Sequence, residues 1–282
     1  MKLLFGPHII QFNGGLGNQM FEYAFYLALK DEMPFLIYGF DISGLVDQHN
    51  GFELDRIFHL NTTFQRSICP KLRILERHNY IKFSKLVEKN CWKFEQELLQ
   101  KKYRPTEYIG FWQTEKYFRN IENKIRKIFK FRTELLNDKT VALANQLSIT
   151  QNTISMHIRR GDYLGNTNCQ TYDGAYYLEA KNLITKHLGR GEQIIIFSDD
   201  IEWCREEMQI ENAKYVDWNK GIASWQDMYL MSLCKHNIIA NSTFSWWGAW
   251  LNENPDKIVI APKVWMKSDF GTDIIPKAWI RI

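Results

Sequence analysis

The sequence predicts an α/β protein built on mainly parallel sheet, and three observations carry that expectation. The first strand candidate, the apolar run "HIIQFN" from His8, passes directly into the glycine-rich "GGLG" and a long helical stretch; this is strand, turn, helix. The second half alternates short apolar runs with helical segments, the pattern of β-α-β units with right-handed crossovers and a Rossmann-like sheet. The length, 282 residues, exceeds that of an average domain, so one large unit or two of about 140 residues are expected.

Taken in order, the first strand is His8 to Asn13, and the helix behind it places Met20, Tyr23, Ala24 and Leu27 on one face. "FLIYGF", Phe35 to Phe40, reads as the second strand. The stretch Arg66 to Arg104 is basic and less regular, with helical patches such as "KFEQELLQK". "YIGFWQ", Tyr108 to Gln113, is a further strand, followed by helical "KYFRNIENKIRKIFK" and "NDKTVALANQLS". Beyond a change of texture near Ser148 to Thr153 come the strands "TISMHI", "QIIIFS", "KYVDW", "NIIAN" and "KIVIAP". Helices are expected between them at Gly174 to Leu188, Ile201 to Met208, Ser224 to Lys235 and Ser245 to Leu251. The domains are therefore expected at 1–150 and 151–282.

Composition narrows the function classes. Five scattered cysteines without a C-x-x-C pair support neither a disulfide frame nor a zinc site and fit a reducing, cytoplasmic setting. The first twenty residues lack a secretory signal pattern, and no apolar run approaches the roughly 18 residues of a membrane span. From Arg66 to Arg132 there are 18 Lys/Arg against seven Asp/Glu. Such a segment can face water, nucleic acid or an anionic membrane at the inner face; no nucleic-acid motif accompanies it.

Ligands of an open α/β sheet sit beyond the carboxyl ends of its strands, and charge collects there. "SMHIRRGDY" ends a strand with His157, Arg159, Arg160 and Asp162. A guanidinium can fork onto a phosphate; the alternative is that both arginines salt-bridge Asp162, Asp199 or Asp200. "FSDD" ends the next strand with Ser198, Asp199 and Asp200, suited to capping, to orienting arginines or, with less support because no D-x-D spacing is present, to metal. "NIIA" ends in Asn241, Ser242, Thr243, Phe244 and Ser245, a series of N-cap residues ahead of a helix whose terminus can take an anion. In the first half, Gly15, Gly17, Asn18 and Gln19 of "GGLGNQ" suit a backbone that approaches a ligand closely, with Gly15, Gly17 and Gln19 expected at the donor, or a plain tight turn; neither the dinucleotide nor the P-loop pattern is matched.

"GGLGNQMFEYAFYLAL", "HIRRGDY", "FSDD" and "DMYLMSLCKHNIIANSTFSWWGAWL", with "GFWQTEKYF" between them, together resemble the galactoside α-1,2-fucosyltransferases of glycosyltransferase family 11, in the size of the bacterial members. The resemblance spans nearly the whole chain. It implies a GT-B arrangement of two Rossmann-like domains facing across a cleft, the first on the acceptor side and the second holding GDP-β-L-fucose, with fucose transferred by inversion to the 2-hydroxyl of a terminal galactose. It further implies Arg159 on the β-phosphate with Arg160 in support, His157 in the nucleotide pocket, and Ser242 to Ser245 around the diphosphate and fucose. Asp227 would receive the guanine edge, and Asn18 would orient fucose or acceptor. Asp162 is the candidate base, with an unassisted, leaving-group-driven route as the alternative. No metal or other cofactor is implied. A fucosyltransferase of different linkage, or another GDP-sugar transferase, is the competing expectation.

Overall fold

The computed structural model describes residues 6–188, 191–267 and 273–282. The chain forms two compact units, Met1–Arg132 and Thr133–Ile282. The border thus lies ahead of the change of texture near residue 150, for a packing reason. Leu143 and Leu147, on the helix expected to close the first half, are buried with Ile195, Phe197, Leu230 and Met231, so this helix is part of the second unit's core.

Unit 1 runs β1 (His8–Gln11), α1 (Leu16–Glu32), β2 (Tyr38–Asp41), α2 (Leu54–Ile57), α3 (Thr63–Arg77), β3 (Ser84–Val87), β4 (Thr106–Ile109) and α4 (Glu122–Ile128). Its four strands are all parallel in the order β2-β1-β4-β3. Two helices cover the two faces. Every residue of α1 from Gln19 to Leu29 is buried, and Phe25 stacks on Trp112 with centroids 4.0 Å apart. On the opposite face Cys69 and Leu72 of α3 pack with Ile9 and Phe83, and Arg73 pairs with Asp41 at 2.8 Å and with Glu107.

Several elements here differ from expectation. β3 was not anticipated, because its exposed edge position leaves "SKLV" without a continuous apolar signal. "KFEQELLQK" makes only the 3-10 turn Gln96–Leu99. The strand expected to reach Gln113 stops at Ile109, and Trp112 takes a left-handed backbone at φ 56°. The carboxylate of Glu88 explains that turn: it accepts hydrogen bonds from the N–H groups of Phe111 (2.8 Å) and Trp112 (2.9 Å).

Unit 2 runs α5 (Asp138–Ile149), β5 (Thr153–Ile158), α6 (Gly174–Leu188), β6 (Gln193–Ser198), α7 (Ile201–Trp203), β7 (Lys214–Val216), α8 (Trp225–Leu233), β8 (His236–Ile238), α9 (Thr243–Leu251), β9 (Val259–Ala261) and β10 (Ile280–Arg281). The six strands are parallel in the order β10-β9-β8-β5-β6-β7. Counted from β5, this is the 3-2-1-4-5-6 order of the doubly wound nucleotide-binding fold. Strand alternation divides the core. Ile154, Met156 and Ile158 meet Tyr177, Ala180 and Ile184 of α6, while Ile195 and Phe197 meet α5 and α8. Gly248 lets α9 approach α8, since a Cβ there would stand 2.9 Å from the Cβ of Met231. Trp247, Trp250 and Leu251, spaced i, i+3, i+4 on α9, are buried core, and so is Trp246. No helix among the described residues is long and apolar enough to cross a membrane.

Candidate active site

In unit 2 the strand order reverses between β5 and β8, where the connections leave on opposite faces and open a crevice at the carboxyl edge. The pairing of Met156 with Ile238 brings the two strand exits side by side. One exit carries His157, Arg159 and Arg160, the other Asn241 to Ser245. The phenol of Tyr163 donates to the Asn241 carbonyl at 3.1 Å, and the His157 and Phe244 rings lie 5.9 Å apart.

Both arginines are ion-paired. Arg159 reaches Asp162 at 2.6 Å and Asp199 at 3.0 Å, and it lies over the Tyr163 ring. Arg160 pairs with Asp200 at 3.2 Å and stacks 3.8 Å from the centroid of Trp203, while its backbone N–H donates to Asp199 at 2.9 Å. The loop can close this tightly because residue 161 is glycine; a Cβ there would stand 2.6 Å from Asp199 Oδ2. Asp200 also caps α7, accepting from the Trp203 N–H at 3.3 Å, and Ser198 Oγ accepts from the Asp200 N–H at 3.0 Å. The side chain of Asp162 is 62% exposed, so its hold on Arg159 is worth no more than about 1 kcal/mol.

His157 is buried and its Nδ1 has no hydrogen-bond partner. Burial, assisted by the Arg159 charge, drives its pKa down to about 3, so the ring is a neutral imidazole at physiological pH. At the second exit the residues divide. Ser242 Oγ caps α9, accepting from the Phe244 N–H at 3.3 Å. Thr243 and Phe244 are half-buried at the first turn. Ser245 is fully buried and donates to backbone carbonyls, and the Asn241 amide donates to Gln170 (2.9 Å) and Trp265 (2.7 Å). Ser245 and Asn241 are therefore framework, whereas Thr243 and Phe244 stay partly exposed at the strand exit.

The exits of β6 and β7 and the start of α8 line an open pocket of about 200 Å³ bordered by Ser198, Asp199, Asp200, Asn219, Lys220 and Asp227 among others. The "FSDD" residues and Asp227 thus share one cavity. Asp227 Oδ1 accepts from Asn219 Nδ2 at 2.8 Å. Although part of its surface reaches the pocket, burial pushes its pKa up to about 8, against the opposing effect of the Asn219 hydrogen bond. Among the described residues no three His, Cys, Asp or Glu side chains gather to hold a metal.

Unit 1 has its own switch point, between β1 and β4, and "GGLGNQ" stands there. Its residues turn mostly inward. Gln19 is fully buried; its amide donates to the carbonyls of Gly14 (3.0 Å) and Gly51 (2.9 Å) and accepts from the Glu53 N–H at 2.9 Å. The position that needs glycine is Gly14, with φ 72° and a Cβ site 2.4 Å from Asn18 Nδ2, whereas a Cβ on Gly15 would meet only ordinary contacts near His49. Gly17 is buried in the first turn of α1. Asn18 Oδ1 accepts from Gln113 Nε2 at 3.0 Å. Of the six motif residues, Asn18 is thus the half-exposed side chain at the edge.

Sequence reasoning missed two buried carboxylates here. Glu22 accepts from the Asn13 N–H through both oxygens, at 3.0 and 3.2 Å, and burial raises its pKa well above the carboxylate range. Glu88 clamps the Trp112 turn, leaves Oε1 without a partner, and is pushed by burial to about 7. An acidic residue inside an otherwise apolar helix signals Glu22; nothing local signals Glu88.

A family description, glycosyl transferase family 11, matches residues 2–282. An α-1,2-colitosyltransferase of Escherichia coli is 35% identical over 289 residues, spanning 95% of this chain and 96% of the relative. The O-antigen biosynthesis glycosyltransferase WbnK of Escherichia coli is 32% identical over 311 residues, spanning 96% and 98%. Among solved structures, NodZ α-1,6-fucosyltransferase soaked with GDP-fucose superimposes with a TM-score of 0.53 at 15% identity, over 88% of this chain and 92% of that one. This last likeness concerns the fold, which is the GT-B class of Rossmann-like units.

Proposed function

Because the chain belongs to glycosyl transferase family 11, we propose that it is an inverting transferase that moves L-fucose from GDP-β-L-fucose to the 2-hydroxyl of a terminal β-galactose. The observation that carries this reading is the pair Arg159 and Arg160 at the exit of β5, beside the start of α9 and next to the cavity that holds Asp227. The bond from fucose C1 to the β-phosphate oxygen breaks, GDP departs with the electron pair, and the acceptor oxygen bonds to C1 from the opposite face. Its proton must be taken up as the α linkage forms.

Arg159 is the group for the β-phosphate. A diphosphate displaces Asp162, an exposed partner that is readily exchanged, and Arg160 stays locked on Asp200 and Trp203 to hold the loop in place. The displaced Asp162 carboxylate is then free to take the acceptor proton. Fixed cationic groups aimed at the developing phosphate charge are each worth about 3 kcal/mol in kcat, so the reading requires no metal. In the pocket, Asp227 accepts from the N1–H and 2-amino groups of guanine, a donor pair that adenine and uracil lack. Asn18 orients fucose or the acceptor, and the backbone at Gly15 and Gly17 behind it approaches the donor.

A second donor is favoured by the 35% identity to the α-1,2-colitosyltransferase, since colitose differs from fucose only in lacking the 3-hydroxyl. The test offers GDP-fucose and GDP-colitose with a panel of β-galactosides, measures released GDP, and assigns the linkage by NMR. Release with GDP-fucose and a new α-1,2 linkage supports the main reading. Turnover only with GDP-colitose replaces the donor, and turnover with neither overturns both.

A further inference from the structure

All four strands of unit 1 run parallel, so the segments entering them meet at one edge, opposite the edge that carries Asn18. Backbone hydrogen bonds align these segments: His8 N–H to Ile37 (2.7 Å), Gly6 N–H to Tyr103 (2.7 Å) and Ser84 N–H to Pro105 (2.9 Å). The edge carries four large apolar side chains that face water, one or two from each of the segments entering β2, β3 and β4. Phe35 is 94% exposed, Tyr80 77%, Ile37 49% and Tyr103 48%.

Their exposure is built in. Helix α3 ends in a Schellman turn, with Tyr80 N–H bonded to the Leu75 carbonyl, Asn79 N–H to Glu76 (both 2.9 Å) and Asn79 at φ 60°. This turn holds Tyr80 outward on a fixed backbone. Phe35 follows Pro34 at the turn between α1 and β2.

Charge supplies the partner. Arg77, Lys82, Lys102 and Arg104 lie on the same entering segments and, among the described residues, have no carboxylate partner. The acidic groups at the end of α1 are neutralised, Asp31 by Lys124 at 3.0 Å and Glu32 by Lys101 at 3.5 Å. Aromatic tips interleaved with unpaired cations match the interface of an anionic bilayer, where rings sit at headgroup depth and Lys/Arg meet lipid phosphates.

We infer that this edge of unit 1 docks on an anionic phospholipid surface. The inference is independent of the sugar transferred, because none of these side chains belongs to the candidate site.

The experiment is co-sedimentation of the full chain with phosphatidylcholine vesicles, with and without phosphatidylglycerol. Binding is expected only with phosphatidylglycerol, and it weakens as salt rises from about 0.1 M to about 1 M, which shortens the Debye length from about 10 Å to about 3 Å. A basic side chain at such a surface is worth about fivefold in partition, so Lys82→Gln with Arg104→Gln lowers binding roughly 25-fold. Phe35→Ser with Tyr80→Ser lowers it at least tenfold. Both double variants keep turnover on a soluble acceptor, which shows that they fold. No binding to phosphatidylglycerol vesicles at low salt, or binding that neither double variant changes, overturns the inference. So does sedimentation equilibrium that finds a dimer dissociated by these same substitutions, since the face would then be covered by a second copy.

Discussion

At the carboxyl edge of the first sheet, Gln19 makes three hydrogen bonds to backbone of its own unit from a fully buried position. At the carboxyl edge of the second, Arg159 and Arg160 are held by carboxylate side chains, one of them largely in water. Removing Gln19 leaves the buried Glu53 N–H and the half-buried carbonyls of Gly14 and Gly51 without this partner, at about 1 to 3 kcal/mol for a group that stays buried. Replacing Asp162 by an incoming anion exchanges one surface pair for another. Two motifs of similar appearance in sequence thus do different work: the first shapes a loop, and the second keeps cations in reserve for a ligand.

The substitution with the largest expected effect tests the reserve. Arg159→Ala should lower kcat about 10²- to 10³-fold with the thermal midpoint little changed, and Arg159→Lys, which keeps charge but loses the fork, at least tenfold. Near-parental turnover in the lysine variant would reduce Arg159 to an ordinary ion pair.

The reverse outcome is expected for Gln19→Ala. Stability should fall by roughly 3 kcal/mol in denaturant titration, while the folded protein still binds GDP as the parent does. Unchanged stability together with weakened GDP would return Gln19 to the donor site.

Asp227→Ala should weaken GDP at least tenfold in calorimetry, since hydrogen bonds to a charged group are worth about 1.5 to 3 kcal/mol. Equal affinity in a folded variant would leave Asp227 as a partner for Asn219 alone. The parent carries a pH signature of the same contact. Burial raises the Asp227 carboxyl to about 8, and a ligand that donates hydrogen bonds favours the ionised form. GDP affinity should therefore rise with pH up to about 8, by no more than tenfold per unit, and level off above it. Near pH 7 each GDP bound should release close to one proton, visible as a dependence of binding heat on the buffer. A flat profile counts against Asp227 as the guanine reader. The smallest expected effect is that of chelation: turnover in excess EDTA should equal turnover without it, and a loss reversed by manganese would assign Asp199 and Asp200 to a metal.

Much of the second unit was legible in the sequence. "TISMHI" and "QIIIFS" are strands with the expected bounds, because a strand covered on both faces needs a continuous apolar run and such a run is visible. The N-cap at Ser242 was equally readable, since capping is local chemistry. Less could be read of the first unit. There β3 is an exposed edge of four residues, and in the second unit the edge strand β10 has only two; the existence of both depends on the register offered by β4 and β9. The expectation for "FSDD" held as orientation of arginines and capping of α7, but the partners that make that orientation specific, Gly161 against Asp199 and Trp203 against Arg160, stand 38 and 43 residues apart in contacts no local pattern announces.

By itself the sequence determined the class of fold, the parallel strands of the second unit, and the residue types delivered to each strand exit, because periodicity, capping and turn chemistry act over a few neighbouring residues. Only the tertiary structure decided which of those residues are available. It turned Gln19, Asn241 and Ser245 inward, held Arg159 and Arg160 on three carboxylates, and buried Asp227 and Glu88 far enough to raise their pKa values toward neutrality. Availability depends on burial and on hydrogen bonds between distant segments, and those exist only once the β5–β8 and β1–β4 switch points have brought the segments together.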